Sequence, residues 1–246
     1  MTKYLKKFDN HADYLSYMGG EPLFPNVSFC EGGDEMHYNA FKYHGHEYVD
    51  LALPSGTLWA TCNMGADDMF GGGMFFAWGE TDGYTAAQVG TDKVFDLTNY
   101  TLYNDADDVF TKYNETDGLT RIEIADDAAR LYMAGFWHMP TYDQCNELKN
   151  SLLVIETWVD DYQGSGVSGR LFTSKANGET VFFPALGVGV ESAVEGVGEN
   201  SFYLSSDLNV DEGDEIWGLL SSIHSVPRLT SGKRFVGGFI RGVVEK

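Results

Sequence analysis

Along most of the chain, apolar and polar positions alternate with a period of two, as in strands buried on one face. From Glu47 onward the pattern predicts strands at 47–52, 57–61, 74–78, 170–174, 180–183, 202–205, 216–220 and 235–244. Two stretches switch to helical spacing. Ile124, Ala128, Leu131 and Tyr132 share one face of a helix predicted near 124–134. After Pro140, Thr141-x-x-Gln144 is a capping box that opens a second helix, with Tyr142, Cys145 and Leu148 inward and its end near Asn150. Ahead of Glu47, Asn10 caps a short helix that stops at Gly19-Gly20. Val27 and Phe29 then alternate across the turn Glu31-Gly32-Gly33-Asp34 with Met36 and Tyr38, a hairpin signal. The fold class is therefore α+β: mostly antiparallel strands with two helices and long loops. The organisation expected is an N-terminal segment over 1–46 and one domain over 47–246.

Composition agrees with a loop-rich β protein. The 246 residues include 16 Phe, 14 Tyr, 5 Trp and 29 Gly. Charge narrows the partners. Lys plus Arg is 16 and Asp plus Glu is 37, a net charge of −21, which argues against nucleic acid and against anionic membrane surfaces. No apolar run approaches the roughly 18 residues of a membrane span. The front reverses the sign: residues 1–20 carry Lys3, Lys6 and Lys7 against Asp9 and Asp13. Three cysteines, Cys30, Cys62 and Cys145, are odd in number and far apart, so neither a disulfide framework nor a thiolate zinc site is expected. No export signal is read at the N-terminus.

Several blocks then resemble a known family. Tyr48-Val49-Asp50-Leu51-Ala52-Leu53-Pro54-Ser55-Gly56-Thr57-Leu58-Trp59-Ala60-Thr61-Cys62-Asn63-Met64-Gly65-Ala66 is similar to the opening of the Fibrobacter succinogenes major paralogous domain. Phe75-Phe76-Ala77-Trp78-Gly79-Glu80-Thr81 resembles its second block. Lys112-Tyr113-Asn114, Asp117-Gly118 and Asp126-Asp127-Ala128-Ala129 resemble the third, and Gly135-Phe136-Trp137-His138-Met139-Pro140-Thr141 the fourth. Asn177-Gly178 with Val181-Phe182-Phe183-Pro184-Ala185 resembles the fifth. Tyr203-Leu204-Ser205-Ser206 and Gly238-Phe239-Ile240-Arg241-Gly242-Val243 resemble the last two. The resemblance implies a C-type lectin-like fold of the formylglycine-generating-enzyme-like branch. Two departures stand out: the missing export signal, and Arg241-Gly242-Val243 where the family closes on Arg-Pro-Val.

Lys6-Lys7-Phe8-Asp9-x-His11-x-x-Tyr14, Pro25-Asn26-Val27-Ser28-Phe29-Cys30 and Glu35-Met36-His37-Tyr38-Asn39 resemble a leader on virion proteins of gut Bacteroidetes phages. Together the two resemblances imply a non-enzymatic virion protein, a capsid- or tail-exterior fibre or decoration made in the host cytoplasm. Its lectin-like domain would touch a host-surface glycan or protein. Residues 1–46 would attach it to other virion proteins or to copies of itself, as a homo-oligomer, through Tyr4, Leu5, Phe8, Tyr14, Leu15, Phe24 and Phe29. The alternatives are a bacterial cell-surface adhesion or structural domain and, more weakly, a glycan hydrolase.

Candidate chemistry is sparse. The formylglycine-generating relatives use a cysteine pair late in the domain, and no cysteine follows Cys145. Gly164-Ser165-Gly166 is a lone flexible loop, not a nucleophile elbow. His44-x-His46 would share a strand face, with His37 nearby, but no carboxylate spacing supports a metal there. Asp105, Asp107 and Asp108 read as a solvated acidic loop. Their spacing lacks the EF-hand glycine and distal glutamate, although a lectin-like fold admits calcium. No cofactor is expected. Asp126 and Asp127 at a helix start read as structural. Trp59, Trp78, Trp137 and Trp158 read as core, and Trp217 as a surface aromatic. In lectin-like proteins the late loops form the ligand face; here that stretch offers Asn209, Asp211, Trp217, Ser221, Ser222, His224 and Arg228.

The odd cysteine count sets a first expectation. Titration of the denatured chain should return three thiols. A single thiol would mean that two of the cysteines are joined.

Overall fold

The computed structural model describes residues 41–246, and the helix and hairpin expected within 1–40 lie outside the described residues. The chain enters as a hairpin. β1 (Phe41–Tyr43) returns through His44 and Gly45, at φ of 48° and 83°, into β2 (His46–Asp50). Positive φ at both turn residues matches the right-handed twist of the flanking strands. It also places His44 in the turn, so the expected strand face shared by His44 and His46 does not form. β3 (Thr57–Ala60) pairs with β2, and the final strand β14 (Val243–Glu245) pairs with β3. The resulting sheet, in order β1-β2-β3-β14, starts at Phe41, ahead of the boundary expected at Glu47.

β4 (Tyr103–Asn104) and β5 (Val109–Phe110) make a small hairpin. β6 (Val154–Val159), β7 (Gly169–Ser174) and β8 (Thr180–Pro184) form an antiparallel meander. A five-stranded sheet follows from β9 (Leu186–Val190), β10 (Ala193–Val197), β11 (Asn200–Leu208), β12 (Glu215–Ser222) and β13 (Ser225–Lys233), in order β10-β9-β11-β12-β13. Its β9–β11 pairing is parallel, whereas its other pairings are antiparallel. The class expected from the sequence, mostly antiparallel strands with two helices, is the one observed.

The helices are α1 (Ala128–Tyr132) and α2 (Tyr142–Leu148). α2 begins as its sequence dictates. The Thr141 hydroxyl accepts from the Gln144 amide, and the Gln144 side chain accepts from the Thr141 amide at 2.8 Å. Cys145 and Leu148 are buried, and Tyr142 packs edge-on against Trp217. The helix expected over 124–134 is instead broken. A 3-10 turn (Ile124–Asp126) stops at Asp127, which is extended and caps α1 by accepting from the Arg130 and Met139 amides. The restart rotates the apolar face: Ala128, Ala129 and Met133 are buried, while Ile124, Leu131 and Tyr132 are 70%, 52% and 60% exposed.

Two expected strands are not ladders. Phe75 and Phe76 make only isolated bridges, to Tyr84 and Gly238. In the stretch 235–244 only β14 is a strand, because the chain there threads the middle of the fold. A side-chain carbon at Gly238 would lie 2.5 Å from the Leu204 side chain, and one at Gly237 2.8 Å from the Phe95 ring. Only glycine permits this approach. Trp59, Trp78 and Trp137 are fully buried as expected. Trp158 is not: it is half-buried, faces the Arg170 guanidinium and donates to Asp160 at 2.9 Å.

Two arginines are buried completely within this threaded run. Arg241 donates to the carbonyls of Ala60, Thr61 and Phe182 and lies 4.6 Å from the Phe183 ring centre. Arg234 donates to the carbonyls of Lys112 (2.7 Å) and Gly213 (2.9 Å) and lies 4.1 Å from the Phe110 ring centre. Glu80 and Lys93 form a buried ion pair at 2.6 Å, with Lys93 also donating to the Asn99 carbonyl and Glu80 accepting from the Thr101 amide.

Replacing Arg241 strips donors from carbonyls that water cannot reach, at about 1–3 kcal/mol each. Arg241→Leu is therefore expected to lower stability by about 3–5 kcal/mol in urea unfolding. Arg228→Leu, at an exposed position, should stay within about 0.5 kcal/mol of the parent. Similar midpoints for the two variants would contradict the structural role given to Arg241.

Candidate functional site

The late-loop residues do not converge. Asn209 and Asp211 lie in the turn before β12, His224 at the tip after it, and Trp217, Ser221 and Ser222 within the strand itself. The eight residues of β12 separate the two ends by roughly 24 Å. Asn209 is buried and accepts from the Asp211 amide at 3.3 Å, a turn-forming bond. Ser221 is buried, and the Ser222 carbonyl accepts from Arg170. Arg228 is exposed on β13. The attachment residues Tyr4, Leu5, Phe8, Tyr14, Leu15, Phe24 and Phe29 lie outside the described residues.

The structure instead opens a cleft of about 820 Å³ beside the point where the described chain begins. Ligand sites are commonly of this size. Five separate stretches build it: the β1–β2 hairpin, residues 60–70 leaving β3, residues 74–76, residues 82–84, and the end of α1. Met64, Phe76 and Met133 are buried and form its floor. Met74, Phe70 and Tyr84 are half-buried, and Tyr132 is exposed at the lip. Thioethers and aromatic rings together give an apolar surface that adapts to irregular shapes.

The mouth is acidic. Glu47, Asp67, Asp68 and Asp82 line it, against Lys42, which pairs with Glu47 at 3.3 Å. Asp68 also orders the loop by accepting from the Phe70 and Gly71 amides at 2.9 and 2.8 Å. Gly73 holds the tight return, since a side chain there would meet the Met64 carbonyl at 2.2 Å. Burial, followed by the nearby His44, pushes the His46 imidazole below its ordinary value. Burial, reinforced by Asp82, raises the Tyr84 hydroxyl.

The acidic triplet is a turn. Asp107 accepts from the Asn104 side chain at 2.7 Å, and Asp108 from the Tyr103 hydroxyl, which this bond pushes up to about 12. Among the described residues, no three His, Cys, Asp or Glu side chains are grouped to hold a metal ion. Asp126 and Asp127 are structural: Asp126 accepts from Lys112 at 2.6 Å and Tyr113 at 2.5 Å.

Sequence reasoning missed the cleft because its walls come from distant stretches without common periodicity. The one local signal was Asp67-Asp68 ahead of Gly71-Gly72-Gly73, an acidic pair in a glycine-rich loop. Comparison with protein-family models, curated proteins and solved structures returns no match to this chain.

Cys62 lines the cleft and is half-buried, whereas Cys145 is on the buried face of α2, where burial pushes its thiol well up. In a Cys30→Ser background, a small alkylating reagent should modify one thiol of the native protein and two after unfolding. Modification of both in the native state would contradict this arrangement.

Proposed function

We propose that this chain is a non-enzymatic virion protein of a gut Bacteroidetes phage. Its C-type lectin-like domain faces outward for adhesion to a host-surface glycan or protein, and its N-terminal segment attaches it to the particle.

The observation that carries this reading is how the seven blocks of the family resemblance bond to one another. Arg241 of the seventh donates to Ala60 and Thr61 of the first and to Phe182 of the fifth. Trp78 of the second donates through its indole to Ser205 of the sixth at 2.9 Å. Asp127 of the third accepts from the Met139 amide of the fourth, and His138 of the fourth exchanges backbone bonds with Val243 of the seventh. Residues similar to one family, scattered from 48 to 243, are the residues that tie this core together. That supports a shared scaffold over a chance run of short matches. Such a scaffold leaves its loops free for recognition.

β1 belongs to the body of the domain, so an attachment test should remove residues 1–40 and no more. The shortened chain is expected to unfold at the parent's midpoint yet be missing from purified particles imaged with a label on this protein. Normal incorporation of the shortened chain would contradict the attachment role. Absence of the intact protein from particles would contradict the virion assignment.

A further inference from the structure

Tyr132 joins the cleft to the exposed side of α1, where the Arg130 guanidinium lies 6.0 Å from the Phe136 ring centre. Leu131, Tyr132 and Phe136 are 52%, 60% and 69% exposed, and Tyr132 belongs to the cleft wall as well. Phe136 is held next to the entry hairpin, because its amide donates to the Tyr43 hydroxyl at 3.3 Å. An apolar surface of this kind, rimmed by charge, marks an interaction site.

The rim selects the partner. Asp67 and Asp82 are exposed at the mouth, and Lys42 is already occupied by Glu47. The complement is a short stretch carrying several positive charges among aromatic and aliphatic side chains. This chain contains one: Lys3-Tyr4-Leu5-Lys6-Lys7-Phe8. It stands at the front of 40 residues that join the described part at Phe41, next to Lys42 on the cleft rim. A strongly acidic body repels its copies, and a basic tip placed on an acidic rim offsets that repulsion at the point of contact.

We infer that the cleft is the seat of residues 3–8 of a second copy of this chain. The inference rests on the attachment role proposed above and names its acceptor. Tyr4, Leu5 and Phe8 enter between the methionines and aromatic rings, and Lys3, Lys6 and Lys7 face the carboxylates of the mouth. Exchanged mutually the contact closes a two-fold pair, and passed on from copy to copy it builds a ring or a filament.

Sedimentation of the full chain tests this with charge reversal on either side. The parent should self-associate with rising concentration. A Lys3→Glu, Lys6→Glu, Lys7→Glu variant and an Asp67→Lys, Asp82→Lys variant should each weaken association by about tenfold or more. Asp67 and Asp82 are exposed and carry no fold-forming bond among the described residues, so both variants should keep the parent's melting temperature. Mixed together, the two variants should associate again in alternation, because each front then meets a cleft of opposite charge. A chain carrying all five changes should regain association. Cys62 should be alkylated more slowly in the associated parent than in either variant. A parent that stays monomeric, as it would with its own front folded into its own cleft, overturns the inference. So does an Asp67→Lys, Asp82→Lys variant that associates like the parent. If that variant also enters particles while the chain lacking residues 1–40 does not, the attachment role stands and this acceptor alone is wrong.

Discussion

The fold depends on one run of backbone, Arg234 to Lys246, passing through its centre. Its amides and carbonyls bond to six places far apart in sequence: Gly56, Ala60 and Met64; Phe76 and Trp78; His138; Gly189; Phe202 with Leu204; and Asp214. Ahead of β14 the run is too irregular to be a strand, because its partners belong to different sheets. Glycines at 237 and 238 let the Phe95 ring and the Leu204 side chain close directly onto its backbone. The two buried arginines anchor the two halves of the run. Arg234 reaches the 112–113 and 213 carbonyls, and Arg241 reaches those of 60, 61 and 182. Four sheets with few shared ladders are thereby joined through one element.

Burying a guanidinium is costly, and burial pushes Arg241 below its ordinary value. The compensation is divided between carbonyls that would otherwise lack donors and the faces of aromatic rings, Phe183 and Tyr203 for Arg241, Phe110, Trp78 and Tyr100 for Arg234. Each keeps one orphan, the Nε proton, without a hydrogen-bond partner among the described residues. Loops that carry much of the chain need directional partners, and an apolar side chain of equal volume would fill the space without supplying donors. This explains why a chain with so few bases commits two arginines completely to the interior.

Much of this was legible in the sequence, and the failures have physical causes. The capping box at Thr141, the helix behind it, and the strands near 47–52, 57–61, 170–174, 180–183, 202–205 and 216–220 follow from local pattern, because their period matches the structure they adopt. The face of the first helix did not follow. Asp127 spends its carboxylate as a cap and interrupts the periodicity that Ile124, Leu131 and Tyr132 suggested. The run 235–244 reads as a strand by composition, but its hydrogen bonds go to several partners rather than one neighbour. β13 went unseen, with Pro227 and Gly232 inside it, and so did β10, whose alternation is between exposed and half-buried positions. The late-loop candidates were read as neighbours because they are close in sequence, and β12 holds them at opposite ends. The cleft was invisible for the converse reason, since its residues meet only after the chain has folded.

Native-state hydrogen exchange tests the central role of this run most directly. The amides of Ala60, Met64, Phe76, Trp78, His138 and Leu204 all donate to its carbonyls, from Arg234 to Val243. If the run holds the sheets together, these six should open only with global unfolding and share one free energy, equal to that from urea. Amides of β10, which makes no bond to the run, should open at lower cost. Exchange of the six at separate, lower free energies, with the sheets remaining protected, would contradict the account.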